Sequence, residues 1–233
     1  MKFKISKQIF EKFPNLKIGI IKVTGIDNAG KDEEVLKLLN EQQKEIQENF
    51  TTETLSQNSK IDVWRKAYSS FGAKPKKYKC SVENLYRMIL KDIKLNHINK
   101  IVDIYNYISL KHLVPVGGDD IDHVDGNIIL KFADGTEPFT QLNSEEMSNP
   151  KEGEAVYVDD KEVLCRRWNW RECDKSKMTE STNNATLVVE GLGLVSEEEM
   201  NIILEELKNL VQKYCGGESK VFILNTENPE IEF

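Results

Sequence analysis

The chain contains 233 residues, of which 39% are hydrophobic and 30% are charged, and its formal net charge is −7. This composition is typical of a globular protein and leaves room for one large domain or two small ones. No apolar run approaches the roughly 18 to 20 residues that a membrane-spanning helix needs, and the N-terminus lacks a signal-peptide core. We therefore expect a cytoplasmic protein without membrane contact, whose four scattered cysteines are reduced thiols.

The net charge hides a local asymmetry. Residues 60–111 contain twelve Lys or Arg and four Asp or Glu, so this segment carries +8 and the rest of the chain carries −15. Such a basic region is typical of a surface that faces a polyanion, while the acidic remainder favours solubility. The alternative is that these charges are the solvated faces of helices.

The first part of the chain alternates apolar and amphipathic segments. Residues 16–26 form a β-branched run that predicts a buried strand, and residues 31–58 have the spacing and acidity of an outer helix. A second helix is expected to start near Asn58 or Ser59, either of which could cap it, and to end at Gly72. A third helix follows the next loop.

That loop, residues 74–79, combines lysines with a proline and Tyr78. An extended basic loop with an aromatic side chain suits contact with phosphates and stacking on a base or sugar. The candidate nucleic-acid ligands are Lys74, Lys76, Lys77 and Lys79. A run of lysines is also commonly just solvated surface, so both interpretations stay open at this point.

The stretch 99–122 is the one around which the rest of the chain is organised. Four apolar residues recur at helical spacing: Ile101, Ile104, Tyr105 and Ile108. Pro115 and the pair Gly117–Gly118 are expected to stop the helix and form a tight, exposed turn. Asp119 and Asp120 would then stand beside free backbone amides, a plausible wall for a small-ligand pocket.

The second half of the chain mixes strands and helices without regular alternation. Residues 126–133 and 137–142 are predicted to form a hairpin around Asp134–Gly135. The other expected elements are a polar loop at 143–153, paired strands at 155–158 and 162–167, a short strand at 186–189 that ends at Glu190, a helix from Ser196 to about Tyr214, a strand at 220–224, and a frayed acidic tail of nine residues. This mixture predicts an α+β fold with a mixed, mostly antiparallel sheet flanked by helices.

Two further features could carry chemistry. The segment RRWNWR, residues 166–171, would place arginines and tryptophans on both faces if it were a strand, which favours a ligand or RNA wall over a core. Glu190 beside Gly191 could hold an amine or hydroxyl, or could be a solvated charge at a strand end. The three histidines form no metal-binding pattern, so we expect neither a metal nor a cofactor.

These motifs together resemble a known family. The residues that carry the resemblance are Asn99, Val102, Asp103, Asn106, Tyr107, Pro115, Asp120, Asp122, the segments 165–171 and 182–183, and Val189–Glu190–Gly191. They are similar to the editing domain of the phenylalanyl-tRNA synthetase β subunit, built from its third and fourth B modules, and especially to free-standing forms of it. The resemblance covers about residues 60–192. It implies that residues 1–233 form a single domain of this type. Residues 1–59 would be a strand plus an acidic helix, and residues 193–233 a helix–strand extension.

The resemblance implies a trans-editing deacylase, which hydrolyses the ester of a mischarged tRNA, with tRNA or aminoacyl-tRNA and a small amino-acid moiety as partners. The alternative is a non-catalytic module that binds tRNA or an amino acid. The implied catalytic residues are Asp119, Asp120 and Glu190. The implied substrate contacts are Asn106, His112, Gly117, Gly118, Trp168, Asn169 and Thr182, and Asp103 would help shape the pocket. The implied tRNA contacts are the four loop lysines with Arg166, Arg167 and Arg171. One position departs from the family, because Gly117 stands where the synthetase domain has a histidine.

Overall fold

Two large β-sheets and seven α-helices make up the protein, for which a computed structural model describes all residues from 1 to 233. The strands are β1 (Lys2–Ile5), β2 (Leu16–Thr24), β3 (Val116–Asp120), β4 (Ile128–Phe132), β5 (Phe139–Thr140), β6 (Met147–Ser148), β7 (Ala155–Val158), β8 (Val163–Arg166), β9 (Arg171–Glu172), β10 (Ala185–Leu192), β11 (Glu218–Leu224) and β12 (Glu230–Glu232). The helices are α1 (Lys7–Lys12), α2 (Glu33–Asn49), α3 (Thr52–Gln57), α4 (Ser59–Ser70), α5 (Ser81–Ile89), α6 (Lys100–His112) and α7 (Glu197–Cys215). None of these helices is both long and apolar enough to cross a membrane.

The first sheet has six strands in the order β12-β1-β4-β7-β8-β9, and the second has four in the order β11-β2-β10-β3. All pairings are antiparallel except that of β1 with β4. A third sheet consists only of β5 and β6. The predicted α+β class with a mixed, mostly antiparallel arrangement is therefore confirmed.

The second sheet separates two apolar cores, because its central strands β2 and β10 are buried on both faces. Along β2, Ile18 and Ile20 join the larger core, whereas Ile21 and Val23 join the core under α6 and α7. All eight residues of β10 are buried, as befits the strand between β2 and β3. The larger core contains residues of both sheets, so a cavity between the sheets can be lined from both sides.

Several local predictions hold because short-range chemistry specifies them. Asn58 caps α4 by accepting a hydrogen bond from the amide of Lys60, and Ser196 caps α7 by accepting one from Glu199. The predicted strand at 16–26 is β2, and the predicted apolar face of α6 is buried. The segments 155–158 and 163–166 pair as predicted.

The prediction of an exposed turn at Gly117–Gly118 is wrong, because both residues lie in β3 and pair with Val188 and Leu187 of β10. Neither glycine has a positive φ. The reason for glycine is steric: a Cβ on Gly118 would lie 2.2 Å from the carbonyl oxygen of Thr186. The close approach of a neighbouring backbone, rather than a turn, therefore requires glycine here.

Four other segments also differ from the expected pattern. Residues 126–133 and 137–142 do not form a hairpin, since β4 and β5 belong to different sheets. The acidic tail is not frayed throughout, because β12 pairs with β1. The segment RRWNWR is no continuous strand, because Arg167 and Trp168 have positive φ values of 47° and 67° and form a tight connection between β8 and β9. The first 59 residues contain β1, α1 and α3 besides the expected strand and acidic helix.

Candidate functional site

A pocket opens between the two large sheets. The second sheet contributes β3 and β10, and the first contributes Tyr157 of β7 and Cys165 of β8. The tight connection after β8 adds Trp168 and Asn169, and Ser81 closes one side. Three carboxyl groups line the pocket: Asp119, Glu172 and Glu190.

Glu190 is the most deeply buried of the three, with only 3% of the residue exposed. It lies inside β10 rather than at its end, which corrects the predicted position. The Tyr157 hydroxyl donates to Oε1 at 2.5 Å, and the Asn169 amide donates to Oε2. Burial raises the pKa of Glu190 to about 7, although the groups of Tyr157, Asn169 and Trp168 each lower it. This carboxyl can therefore exist as an acid or as a carboxylate at neutral pH.

The orientation of the Asn169 amide is fixed by a second hydrogen bond. The Tyr68 hydroxyl donates to Asn169 Oδ1 at 2.8 Å, which leaves the amide nitrogen facing Glu190. The indole N–H of Trp168, a fully buried residue, has no hydrogen-bond acceptor, although it is near enough to Glu190 and Tyr157 to lower the pKa of both. The deep end of the pocket therefore presents one carboxyl and an unpaired N–H donor.

Asp119 lies on β3, the edge strand of the second sheet, where it pairs with Thr186 of β10. The Ser176 hydroxyl donates to Oδ1 at 2.6 Å. Burial raises the pKa of Asp119 to about 6; the Ser176 hydroxyl opposes this rise and the charge of Asp159 adds to it. A group with this pKa is mainly a carboxylate at neutral pH and can still take up a proton during a reaction.

Glu172 is the member of the pocket that the sequence did not indicate. It lies on β9 directly opposite Cys165 of β8, and an ideal Cβ on Gly117 would be 3.1 Å from its Oε1. Burial, followed by the charge of Asp119, raises the pKa of Glu172 to about 7. Only the pairing of β8 with β9 brings this side chain to the pocket. Its single sequence signal is its place one residue after RRWNWR.

Cys165 lies among the three carboxyls, which excludes it as a thiolate nucleophile. Burial raises the pKa of its thiol far above the usual value, and the charges of Glu172, Glu190 and Asp119 raise it further. The thiol is therefore protonated at neutral pH and has the character of a small apolar wall. Acid–base chemistry by the carboxyls is what this arrangement can provide.

Comparison with known proteins identifies the family. The model of the B3/4 domain matches residues 63–216, which is more than half of the chain. The chain belongs to the B3/4 domain family. The family resemblance predicted from the sequence is thus confirmed.

Individual relatives are more distant. The B3/4 protein is 33% identical over 75 residues to the phenylalanine–tRNA ligase β subunit of Fusobacterium nucleatum subsp. nucleatum, a match that spans 32% of this chain but only 9% of that subunit. A crystal structure of an N-terminal fragment of the phenylalanyl-tRNA synthetase β subunit from Pyrococcus horikoshii matches 96% of this chain and 53% of that chain. Its sequence identity is 14% and its TM-score is 0.46.

Two predicted site residues of the B3/4 protein stabilise a loop outside the pocket. Asp120 is buried and accepts hydrogen bonds from the amide of Asp122 and the hydroxyl of Thr182, at 3.1 and 2.7 Å. It thereby caps the short 3-10 helix Ile121–His123. Asp120 and Asp119 point to different places because successive side chains of a strand alternate in direction. Neither Asp120 nor Thr182 lines the pocket.

Three residues predicted near the substrate also lie elsewhere. His112 ends α6 and pairs with Glu206 of α7, with 2.8 Å between Nε2 and Oε2. Asn106 is half-buried on the same helix and does not line the pocket. Asp103 instead accepts hydrogen bonds from the amide of Ile98 and pairs with His97, near the start of α6. Four predicted substrate contacts do line the pocket: Gly117, Gly118, Trp168 and Asn169.

The arginines of RRWNWR divide into buried and accessible groups. Arg166 is buried and binds Glu154 through Nε and one terminal nitrogen, at 2.9 and 3.1 Å. Arg167 is also buried, and its guanidinium stacks on the rings of Tyr78 and Trp170, at 3.8 and 4.4 Å from their centroids. Only Arg171 is exposed. Arg166 is therefore held by Glu154 away from solvent, and Arg167 holds the aromatic pair.

The basic loop packs against this same segment, because Tyr78 contacts Trp170 edge-on, with 5.0 Å between ring centroids. Lys74, Lys76 and Lys77 are exposed, whereas Lys79 is half-buried and donates to the carbonyl of Lys76. The loop leads directly into Ser81 at the pocket. The basic loop and the aromatic pair are thus close along the chain to Ser81 and Asn169, which line the pocket.

Proposed function

We propose that this B3/4 protein hydrolyses the ester bond of a mischarged aminoacyl-tRNA in trans. The observation that carries the proposal is the combination of a small pocket lined by three carboxyls with a basic, aromatic surface beside it. An aminoacyl-tRNA has the matching chemistry, since a small cationic group is joined through an ester to a large polyanion. Family membership and the similarity to a phenylalanine–tRNA ligase β subunit support the same substrate class.

Within the pocket, Glu190 is assigned to the side chain of the amino acid and Asp119 to the α-ammonium group or the attacking water. Glu190 suits a side chain because it lies deepest and can accept or donate a hydrogen bond near neutral pH. Asp119 is half-buried, so it is more accessible than Glu190, and it is mainly ionised. The protonated Cys165 thiol forms apolar wall between them.

The chemistry needs no covalent intermediate. Water attacks the ester carbonyl carbon while a pocket carboxylate takes one of its protons, and the tetrahedral intermediate carries the negative charge on the former carbonyl oxygen. Collapse of the intermediate breaks the bond to the ribose oxygen, which leaves with that proton. Because aminoacyl esters are already activated, positioning of the water supplies much of the rate.

On the tRNA side, the three exposed lysines of the loop 74–79 are assigned to phosphates near the acceptor end. Trp170 and Tyr78, whose relative position is fixed by Arg167, offer ring edges and faces for the terminal nucleotides. The planar guanidinium of Arg171 can donate two hydrogen bonds to a phosphate. The basic loop is close to the pocket along the chain, because Ser81, which lines the pocket, follows Lys79 by two residues.

A deacylation panel tests the proposal. Purified protein is incubated with tRNAs that carry incorrect amino acids, and ester loss is timed against buffer, against E190Q and against the exposed-surface control E146Q. We expect rapid hydrolysis of a restricted set of pairs by the wild type and by E146Q, and a reduction of at least about tenfold in E190Q. The same rate in E190Q as in the wild type would contradict the assignment of Glu190.

The second candidate is a module that binds tRNA or an amino acid without cleaving it. It is favoured by the absence of an activated nucleophile in the pocket and by glycine at position 117. No hydrolysis across the panel, together with salt-sensitive tRNA binding, would establish this function instead. Binding of an amino acid without any salt-sensitive tRNA binding would exclude tRNA, because phosphate contacts release counterions and give a steep salt dependence.

A further inference from the structure

Two carboxyls flank Gly117 at one side of the pocket. Asp119 is two residues further along β3 and so projects to the same face as position 117. Glu172 approaches from β9, and its Oε1 lies 3.1 Å from where a Cβ of residue 117 would be. A carboxyl pair therefore surrounds a place that a side chain at position 117 would fill.

No cation forms an ion pair with these two carboxyls, because Lys175, whose charge lowers the pKa of Asp119, binds Asp125, Asp159 and Glu162 instead. Glu172 has no hydrogen-bond donor and no salt-bridge partner for its carboxyl, and no lysine, arginine or histidine lines the pocket. Asp119 has the Ser176 hydroxyl as its single donor. Both residues are half-buried, and their carboxyls leave capacity for a positively charged donor that the protein does not provide.

A second feature of the same pocket also suits a polar ligand. The indole N–H of the fully buried Trp168 has no acceptor, and it lies near Glu190 and Tyr157 at the deep end. A ligand with an ammonium group and a hydrogen-bond acceptor would satisfy both the carboxyl pair and this N–H. An aminoacyl group carries an ammonium on the carbon next to its carbonyl.

We propose that Asp119 and Glu172 together bind the free α-ammonium group of the substrate, and that Gly117 provides the space for it. Glu172 is thus a further specificity-determining residue. The site accepts unblocked aminoacyl groups and rejects those whose α-nitrogen is acylated or replaced by a neutral group. This inference rests on the proposed function for the identity of the ligand, but its test does not require hydrolysis.

The test uses stable amides of 3′-amino-3′-deoxyadenosine, which cannot be cleaved as esters. Three acyl groups are compared by calorimetry: alanyl, N-acetylalanyl and lactyl, the last of which replaces the ammonium by a hydroxyl of similar size. We expect the wild type to bind the alanyl amide at least about tenfold more tightly than either neutral analogue. The same preference should persist in E146Q, whose altered carboxyl is exposed and outside the pocket.

Two variants examine the pair itself. E172Q keeps the size of the side chain but removes its charge, and we expect the preference for the alanyl amide to fall to about threefold or less. G117A places a methyl group against Glu172 and should reduce the preference similarly, while thermal unfolding checks that both variants are folded. Equal binding of the three amides by the wild type, failure to bind any of them, or an unchanged preference in E172Q would overturn the proposal.

The deacylation panel is judged separately. Hydrolysis of aminoacyl-tRNA with no preference among the amides would refute the ammonium site and leave the proposed function standing. A clear preference for the alanyl amide without hydrolysis of any ester would support the ammonium site and refute the deacylase. The two failures are thus distinguishable.

Discussion

Replacing Glu190 by glutamine should raise the free energy of unfolding at alkaline pH. The same replacement should raise it much less at acidic pH. The wild-type carboxyl is buried, and its pKa is about 7 in the folded protein against 4.5 for the unperturbed group. Between these two values the native state binds more protons than the unfolded state. The stability that the protonated carboxyl contributes is therefore present below about pH 4.5 and is lost as the pH rises through 7.

The size of the effect follows from the two pKa values. Proton linkage predicts that ionisation of Glu190 lowers the free energy of unfolding of the wild type by about 1 kcal/mol near pH 5 and by about 3 kcal/mol near pH 8, relative to a permanently protonated group. Glutamine cannot ionise, so the difference in unfolding free energy between E190Q and the wild type should shift by about 2 to 3 kcal/mol over that range, in favour of the variant. Asp119 and Glu172 are not among the groups that perturb Glu190, so their titration is common to both proteins.

The assay is urea unfolding followed by tryptophan fluorescence, near pH 5 and near pH 8, with the wild type, E190Q and the exposed control E146Q. A shift in the transition midpoint without a change of slope reports stability. E146Q should follow the wild type at both pH values because its carboxyl is exposed. A difference between E190Q and the wild type that stays constant with pH to within about 0.5 kcal/mol would refute the inference that Glu190 is a desolvated carboxyl.

Three further outcomes are expected. G118A should lower the melting temperature and the yield of folded protein, because its methyl group would lie 2.2 Å from a backbone carbonyl that cannot move without breaking the β3–β10 pairing; a wild-type melting temperature would contradict this. E154A should destabilise the protein by about 3 to 5 kcal/mol in urea unfolding, because it leaves two buried arginines without their carboxylate, and a loss below about 1 kcal/mol would show that water reaches them. The double variant K76A/K77A should reduce the slope of log Kd for tRNA against log salt by about 1 to 2, whereas K220A on β11 should leave it unchanged; equal slopes for all three proteins would exclude the loop from the tRNA contact.

Local rules predicted much of the secondary structure. The caps at Asn58 and Ser196, the apolar stripe of α6 and the β-branched run of β2 each depend on residues within one or two turns of chain, so sequence spacing suffices to find them. The family motif likewise directed attention to Glu190 and Asp119, which do lie in one pocket.

Predictions failed where one residue type serves two purposes. Glycine at 117 and 118 indicated a turn, but the structure uses it for close packing against β10 and Glu172. Tryptophan and arginine in RRWNWR indicated an open wall, but Trp168 packs against Phe13 and Trp64 in the core. A sequence does not show whether a glycine is needed for its backbone freedom or for its small volume. It also does not show whether a tryptophan or arginine stacks on a ligand or is buried, because the answer depends on the residues that it contacts.

The sequence by itself determined the family, the α+β class and two of the three pocket carboxyls, because those features are encoded in local patterns and one recognisable motif. Only the tertiary structure decided that Asp119 faces the pocket while its neighbour Asp120 caps a loop, since a strand sends adjacent side chains to opposite faces. Only the structure placed Glu172 beside Gly117, because that contact joins separate sheets across more than fifty residues of chain. Spacing along a sequence carries no information about such a contact until strand order and register are known.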